Sequence, residues 1–172
     1  MNQVPEKLIN FRVYEDGTNL LGVADIELPE IEYMTEKIKG AGIAGEIDSP
    51  AIGHFGSMTI KINWRTIAKS LAALASPKAH NLDFRGAIQI YDAGKGEYII
   101  SPVKVVAKCT PKKTGLGKFN PSSPTDSTSE LEVLYMKLDV DEKTVAEIDK
   151  LNYICIIDGV DYLSDIRTAL GM

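Results

Sequence analysis

The sequence of 172 residues is poor in the side chains that carry most enzyme chemistry. It has two histidines, His54 and His80, and neither stands in a cluster with metal-ligand spacing. No serine or cysteine stands in a local arrangement with a base that would activate it as a nucleophile. The residues therefore predict neither a catalytic site nor a metal site.

Cysteine and long apolar runs are also scarce. Cys109 and Cys155 are the two cysteines and lie far apart, which favours buried reduced thiols and leaves a disulfide as the alternative. No apolar run has the length of a membrane span or of the apolar part of a signal peptide. We therefore expect a protein that is made and assembled in a cytoplasm, with no membrane partner.

Positive charge is not in excess, since the net charge is −5. This balance argues against a sequence-specific nucleic-acid-binding protein. Residues 25–50 carry seven acidic residues and two lysines, whereas residues 95–118 carry six lysines and one acidic residue. The default interpretation is two solvated faces, and the sharper hypothesis is a pair of complementary surfaces for self-association. The candidate residues are Glu30, Glu32 and Glu36 on the acidic side and Lys104, Lys108 and Lys112 on the basic side.

Three short motifs resemble ligand-binding loops but lack the necessary context. Residues 40–45 have the Gly-x-Gly-x-x-Gly spacing of a dinucleotide site, yet no buried strand precedes them and Pro50 prevents a following helix. Residues 115–118 lack the Ser/Thr of a phosphate loop, and residues 139–142 offer too few ligands for a calcium loop. We expect no cofactor, and the glycines are predicted to form a flexible loop.

Alternation of apolar and polar residues is the dominant pattern that is present. Met58, Ile60, Ile62 and Trp64 fall on one side of a predicted strand over residues 58–65. Weaker versions occur at residues 11–14, 24–28, 84–91, 103–109 and 131–140. In the last of these the apolar phase slips by one residue, which predicts a bulge or a strand that is apolar on both faces. The Asp-Gly pairs at 16–17 and 158–159 predict tight hairpin turns.

Helical periodicity is limited to two segments. One helix is predicted at residues 66–76, with Thr66 as N-cap, and a short C-terminal helix within residues 164–172, with Ser164 as cap and Gly171 as stop. Residues 40–55 are predicted to be an extended glycine-rich loop, and residues 113–128 a mobile polar loop. The whole pattern predicts one domain, residues 1–172, that is mainly β: an antiparallel β-sandwich or barrel of about seven strands with one packed α-helix and long loops.

Three stretches of the chain, taken in order, form a recognisable set. They are EKLINFRVYEDGTNLLGVADIELPEIE at residues 6–32, KGAGIAGEID at 39–48, and EIDKLNYICIIDGVDYLSDIRTALGM at 147–172. Together they resemble the major tail tube protein family of contractile-tailed bacteriophages. The last stretch is the most specific, with Asp158 where the family has asparagine. The glycine stretch alone would be weak support for the resemblance.

The resemblance implies a structural virion protein that is not an enzyme. Hexameric rings of such a β-sandwich subunit stack into the inner tube of a contractile tail or tail-like particle, the conduit for genome delivery. The implied partners are other copies of the chain and the tail sheath, tape measure, baseplate and tail terminator proteins. DNA would pass through the lumen without specific binding, and assembly would take place in the host cytoplasm.

The glycine-rich loop at residues 40–55 is, on this resemblance, a contact between subunits. Glycines supply backbone freedom, and the aliphatic residues supply apolar surface that becomes buried on assembly. The candidate contact residues are Gly40, Gly42, Ile43, Gly45, Ile47, Asp48 and Ile52.

A β-sandwich module that binds a ligand, for example a carbohydrate, is the main alternative function. Such modules usually expose aromatic side chains, whereas aromatic residues here make up 7% of the chain and fall mostly in strand phase. An enzyme is a more distant alternative.

Overall fold

The computed structural model describes residues 2–172, and within them twelve strands are joined by short connections and two short helices. The helices are α1 (Lys69–Leu74) and α2 (Ser164–Leu170). The strands are β1 (Gln3–Glu15), β2 (Thr18–Asn19), β3 (Val23–Glu27), β4 (Tyr33–Ile38), β5 (Ile47–Phe55), β6 (Thr59–Trp64), β7 (His80–Asp92), β8 (Glu97–Gly115), β9 (Ser127–Val140), β10 (Lys143–Asp149), β11 (Ile154–Ile157) and β12 (Val160–Asp161).

All strand pairs are antiparallel. The main sheet has the order β12-β11-β10-β9-β8-β7-β1-β2, with β6 added to the first half of β9 and β3 added to β6. Strands β4 and β5 form a separate two-stranded hairpin. The mainly β, antiparallel sandwich predicted from the sequence is confirmed, although more strands are present than the seven expected because several pairs involve very short segments.

Strand β9 holds the sandwich together because its two halves pair with different strands. Residues 127–132 pair with β6, and residues 135–140 pair with β10. Between these halves, Cys109 of β8 lies opposite Val133 and Lys108 lies opposite Tyr135, so Leu134 is the extra residue of a bulge. The phase slip in the sequence correctly predicted this bulge.

The core lies where the two parts of the sandwich face each other. In β6, Ile60, Ile62 and Trp64 are buried, and Met58 just before the strand is buried with them, as the alternation predicted. The Trp64 indole N–H donates a hydrogen bond to Ser129 Oγ at 3.0 Å. The other residues of this buried apolar cluster are Val13, Leu20, Leu71, Leu74, Leu82, Phe84, Val105, Ala107, Cys109, Leu131, Val133, Met136, Ile148, Cys155 and Leu163.

Both Asp-Gly turns have the conformation that the sequence predicted. Glu15 pairs with Thr18 across Asp16-Gly17, and Ile157 pairs with Val160 across Asp158-Gly159. All four turn residues have positive φ, from 46° to 82°, as two-residue hairpin turns of the I′ kind require.

The helices are shorter than predicted, and their N-caps differ. Helix α1 begins at Lys69 after Ala68, so Thr66 is not its N-cap, and no side chain caps it. Helix α2 follows Leu163 rather than being capped by Ser164, whereas Gly171 ends it with φ 74° as predicted. Leu71 and Leu74 bury α1 against the sandwich. In the described part of the chain neither helix is long and apolar enough to cross a membrane.

The two segments predicted as long loops contain strand. Residues 47–55 form β5, so residues 40–55 are an extended loop only up to residue 46. Residues 113–115 finish β8 and residues 127–128 begin β9, which leaves 116–126 as the connection. Period-two alternation was unreadable in β5 because Pro50 and a local bulge interrupt it. The end of β8 and the beginning of β9 were not predicted as strand because their residues are mostly polar.

Candidate functional site

The hairpin of β4 and β5 projects from the sandwich, and most of its side chains are exposed. Ile38 lies opposite Ile47, Lys37 opposite Asp48, and Thr35 opposite Pro50. Two-stranded hairpins are marginally stable alone in water. This hairpin exposes large apolar side chains, so burying them against another surface would stabilise it.

The two faces of the hairpin differ in polarity because side chains alternate along each strand. Ile38 and Ile47 share one face with Glu36 and Met34, and we call this the apolar face of the hairpin. Lys37 and Asp48 point to the other face. Each of the apolar residues Met34, Ile38 and Ile47 is about half exposed. Of the predicted contact residues, Ile47 thus lies on the apolar face and Asp48 on the polar face.

The glycines of the predicted motif form the turn between the strands. Gly40, Gly42 and Gly45 have φ of 147°, 88° and 118°, a region that side chains disfavour. A Cβ at these positions would meet nothing within 4 Å. Within one subunit the glycines are therefore needed for the backbone conformation of the turn and not for a close contact with another segment. Ile43 closes the turn by donating its backbone N–H to the Gly40 carbonyl oxygen at 3.1 Å.

The base of the hairpin is attached to the C-terminal segment. Gly53 has φ 75°, and a Cβ there would overlap the Leu163 side chain, so the backbone of β5 lies directly against Leu163. The rings of Tyr33 and Phe55 lie 5.2 Å apart, and the Gly56 N–H donates to the Glu32 carbonyl oxygen at 2.8 Å. Ile52, in the bulge beside this base, is exposed.

The two predicted charge surfaces differ in how many of their residues form ion pairs within the subunit. Lys104 Nζ lies 3.6 Å from Asp83, and Lys112 Nζ lies 3.8 Å from Glu132, so both lysines have partners within the subunit. Within residues 2–172, Lys108 has no ion pair. The same holds in that range for the exposed acidic residues Glu30, Glu32 and Glu36.

The histidines and cysteines do not gather into a reactive site. His54 is exposed in β5, whereas His80 is buried with its Nδ1 atom 2.5 Å from Glu15 Oε1. Cys109 and Cys155 are free and buried, as predicted, and burial raises the pKa of the Cys109 thiol to about 12. No group of three or more metal-ligating side chains occurs in residues 2–172.

Two surface features were missed by sequence reasoning. One is an apolar groove at the open edges of β1 and β3, where Gly86 forms part of the floor. The other is Phe119, which stands almost fully exposed in the connection 116–126. An isolated glycine within a strand pattern signals close packing of neighbours, so Gly86 could have indicated the groove.

A sequence model of the family described as phage tail tube protein FII matches residues 5–171. The chain belongs to this family. The resemblance found in three stretches of sequence is thereby confirmed over nearly the whole chain. Members of the tail tube family are structural components of the virion tail, so this family member is not an enzyme.

Two similar proteins are tail tube proteins of known phages. The chain is 28% identical over 171 residues to the major tail tube protein of Serratia phage KSP20, covering 98% of both chains. It is 27% identical over 179 residues to the tail tube protein of Escherichia phage P2, covering 98% of this chain and 99% of the relative.

The fold is also similar to that of a solved contractile injection system component. The sheath/tube terminator of the extracellular contractile injection system PVC, in its extended state, matches with a TM-score of 0.50 and 12% sequence identity. The match covers 79% of this chain and 96% of the other. At this identity the likeness concerns the fold alone.

Proposed function

We propose that this family member polymerises as hexameric rings that stack into the inner tube of a contractile phage tail or tail-like particle, the conduit for genome delivery. The family supports a tail tube subunit, and the shape of the subunit supports polymerisation. The ring size and the conduit role come from the resemblance stated above.

Excess surface is the observation that carries the proposal. A folded monomer of 18.8 kDa exposes roughly 8,300 Å². This chain exposes 11102 Å², which is roughly 2,800 Å² more than that scaling gives. A standard interface buries about 800 Å² on each partner, so the excess equals roughly three to four such patches. A subunit of a stacked tube needs contacts with several neighbours at once.

The hairpin at residues 33–55 serves as a contact between subunits in this proposal. Its apolar face gains the hydrophobic contribution of burial only when another surface covers it, about 25 cal/mol per Å². Gly40, Gly42 and Gly45 allow the turn to adapt to that surface. If the turn could not adapt in this way, the aliphatic side chains of the hairpin would be poorly covered by the neighbouring subunit. The subunits would then assemble less well.

Further partners follow from the same role. The similar solved structure is a sheath/tube terminator, and here a tail sheath protein outside the tube and a terminator protein at its end are proposed. A tape measure protein, a baseplate and DNA passing without specific contacts complete the assembly, which takes place in the host cytoplasm. A net charge of −5 suits a conduit that does not retain phosphates.

Electron microscopy of the purified protein tests the proposal. Six-fold rings or rods are expected at high protein concentration. Replacing Thr35–Pro50 with a short Gly/Ser linker should abolish rods, while the sandwich still folds and melts cooperatively at a somewhat lower temperature because the contacts within the hairpin are lost. A wild-type protein that stays monodisperse and monomeric under the same conditions would contradict the proposal and favour a ligand-binding module.

A further inference from the structure

Residues 56–58 join the hairpin to the sandwich, and we call them the β5–β6 connection. They lie between the end of β5 at Phe55 and the start of β6 at Thr59, and they form neither helix nor strand. Residues 28–32, which lead from β3 into β4, are also irregular. The hairpin therefore leaves the sandwich through two irregular segments, and their backbone conformation sets the direction in which it points.

Two charged side chains of the sandwich hold the β5–β6 connection. Ser57 Oγ donates to Glu132 Oε2 at 2.6 Å, and the Met58 backbone N–H donates to Glu132 Oε1 at 3.2 Å. The Lys150 ammonium group donates to the Gly56 carbonyl oxygen at 3.1 Å and to Glu132 Oε1 at 3.2 Å. The two side chains thus bind each other and every residue of the connection. We call this arrangement the Glu132–Lys150 clamp.

The clamp is partly shielded from water. The Lys150 and Glu132 side chains are 20% and 28% exposed, so solvent screens their attraction less than that of a fully exposed pair. Burial raises the pKa of Glu132, but hydrogen bonds from the connection and from Lys150 outweigh it, and the pKa lies below its ordinary value. Glu132 is therefore ionised at neutral pH. Lys112 Nζ lies farther away, at 3.8 Å, and is half exposed, so it adds little.

Both members of the clamp are fixed by the central strand β9. Glu132 lies in β9 between Thr110 of β8 and Thr59 of β6. The Lys150 backbone N–H donates to the Leu134 carbonyl oxygen of the same strand at 3.1 Å. The clamp therefore transmits the position of the sheet to the connection.

The backbone of the connection is shared between the hairpin and the sandwich. The Gly56 N–H donates to the Glu32 carbonyl oxygen on the hairpin side at 2.8 Å, and the Met58 carbonyl oxygen accepts from the Val133 N–H of β9 at 2.7 Å. Between these two bonds, the clamp binds the Gly56 carbonyl oxygen and the Met58 N–H. It acts at the place where the chain passes from one unit to the other.

A second attachment is what gives the hairpin a single direction. Gly53 packs against Leu163, which holds β5 beside the C-terminal segment. One packing contact leaves rotation about that contact free, whereas the clamp holds the same chain three residues further on. Together the two attachments fix where the apolar face of the hairpin points.

We propose that Glu132 and Lys150 are positioning residues for assembly, which hold the hairpin in the direction that presents Met34, Ile38 and Ile47 to a neighbouring subunit. This inference rests on the proposed function, in which the hairpin is a contact between subunits. A hairpin held in one direction binds without first losing orientational freedom. A hairpin that samples many directions is competent for only a fraction of the time, and its apparent affinity falls by that fraction.

The distance between two spin labels tests the direction of the hairpin in the single subunit. Thr35→Cys in β4 and Lys143→Cys in β10 are exposed labelling positions. The native thiols stay unlabelled because Cys109 and Cys155 are buried and burial raises the pKa of both. Pulsed electron paramagnetic resonance at a concentration below assembly should give one narrow distance distribution. Lys150→Met should broaden it, and Lys150→Arg, which can still donate to both oxygens, should keep it narrow.

The protein concentration needed for assembly tests the consequence. Lys150→Met should raise it by about 10-fold, as expected if the hairpin points correctly for about a tenth of the time. Lys150→Arg should assemble nearly as the wild type does. The matched control is Lys137→Met, which removes a partly buried lysine 3.7 Å from Asp139 and should change that concentration by less than about 2-fold.

Glu132→Gln is a second variant with a milder change. The amide keeps the shape of the side chain and an oxygen for Ser57 and the Met58 N–H, but it loses the charge that attracts Lys150. We expect a broader distance distribution than in the wild type, though narrower than in Lys150→Met. This variant decides the case if Lys150→Met does not melt cooperatively.

Three results would overturn the inference while leaving the proposed function standing. A narrow distribution in both Lys150→Met and Glu132→Gln would show that the hairpin keeps its direction without the clamp. Broadening with unchanged assembly would show that the direction does not matter for the contact. Weaker assembly with a narrow distribution would mean that Lys150 touches the neighbour itself. By contrast, a wild-type protein that stays monomeric at every concentration would contradict the proposed function.

Discussion

Gly53 in β5 lies directly against Leu163, and a Cβ placed on the glycine would overlap Cδ2 of the leucine. Leu163 is fully buried in the core, and Gly53 has φ 75°. The contact is therefore the point at which the exposed hairpin is joined to the folded body. Both the missing side chain and the left-handed backbone are needed there.

Alanine substitutions at Gly42 and Gly53 distinguish the requirement for a left-handed backbone from the requirement for a missing side chain. Gly42 has a similar φ of 88° but open space around it. We expect Gly42→Ala to destabilise the fold by about 1–2 kcal/mol, from backbone strain alone. Gly53→Ala should cost about 1–3 kcal/mol more, because the methyl group must displace Leu163. Urea unfolding followed by the fluorescence of Trp64, the single tryptophan, measures both. If both substitutions lower the free energy of unfolding equally, the overlap between the new methyl group and Leu163 is relieved without cost.

His80 is held by polar contacts on both sides of its ring inside the protein. Its Nδ1 atom lies 2.5 Å from Glu15 Oε1, and its Nε2 atom lies 3.0 Å from the Ser76 carbonyl oxygen. The Glu15 carboxylate and the Ser76 carbonyl oxygen can each accept a ring N–H, so the imidazole links β1 to the residues that follow α1.

Loss of the His80–Glu15 pair should be costly. The side chains are 0% and 16% exposed, and removing the imidazole leaves the Glu15 carboxyl group without this partner. We expect His80→Gln to destabilise the protein by about 3 kcal/mol. As a control, Lys95→Ala breaks the exposed pair with Glu97 and should change stability by less than about 1 kcal/mol. Similar effects of both substitutions in urea unfolding would mean that the buried pair contributes no more than a surface pair.

Asp161 and Arg167 give the C-terminal segment a defined pH dependence. The hydrogen bond from the Arg167 guanidinium, with one from the Leu163 N–H, lowers the pKa of Asp161 below its ordinary value of 3.8. Folding therefore favours the ionised carboxylate, and its contribution is present above pH 3.8 and lost as the pH falls through the lowered pKa.

Asp161→Asn tests this pH dependence. Hydrogen exchange of α2 amides in the wild type should speed up between pH 4 and the lowered pKa, relative to core amides at the same pH. In Asp161→Asn the exchange should be faster at pH 6 already and should lack that acid-dependent step. An unchanged acid-dependent step in the variant would assign the effect to another carboxylate.

Salt should slow assembly if the charged segments help subunits associate. Screening shortens the reach of exposed charges to about 8 Å at physiological ionic strength. Lys104 and Lys112 already have partners within the subunit, so Lys108 is the member of the predicted basic set left for a neighbour. Lys108→Glu should slow growth at low salt more than the control Lys78→Glu. Light scattering that shows growth independent of salt, or faster with salt, would assign the association to apolar contacts.

Sequence reasoning was reliable where one local rule decided the structure. The alternation at residues 58–64 fixed the buried face of β6, the Asp-Gly turns fixed two hairpins, and Gly171 fixed the end of α2. The phase slip at Leu134 even located a bulge. In each case the signal lies within a few residues of the structure that it specifies.

Sequence reasoning failed where structure depends on distant partners. Residues 47–55 pair with β4 through a register in which two steps in β4 match five in β5, and no local period reveals that. The His80–Glu15 pair joins residues 65 positions apart. The groove combines side chains of β1, β3, β7 and β8, which only the topology brings together. The candidate contact residues of the glycine stretch all fall within one hairpin, but which of its two faces each residue lies on depends on the strand register.

The two faces of the hairpin should differ in their effect on assembly. Ile47 lies on the apolar face beside Ile38, whereas Thr35 lies on the opposite face beside Pro50. Ile47→Glu places a charge where we propose that a neighbouring subunit makes apolar contact, and burying an unpaired carboxylate is unfavourable by several kcal/mol. Thr35→Glu adds the same charge on the polar face. Both positions are exposed in the single subunit, so neither change should shift the melting curve by much.

Sedimentation and electron microscopy of these two variants then decide which face makes the contact. Ile47→Glu should remain monomeric at concentrations where Thr35→Glu and the wild type form rods. If both variants assemble, the hairpin is a passive projection, and if Thr35→Glu alone fails, the polar face makes the contact. If both unfold, the hairpin belongs to the cooperative core. Only the first pattern is compatible with a hairpin that attaches subunits through Met34, Ile38 and Ile47.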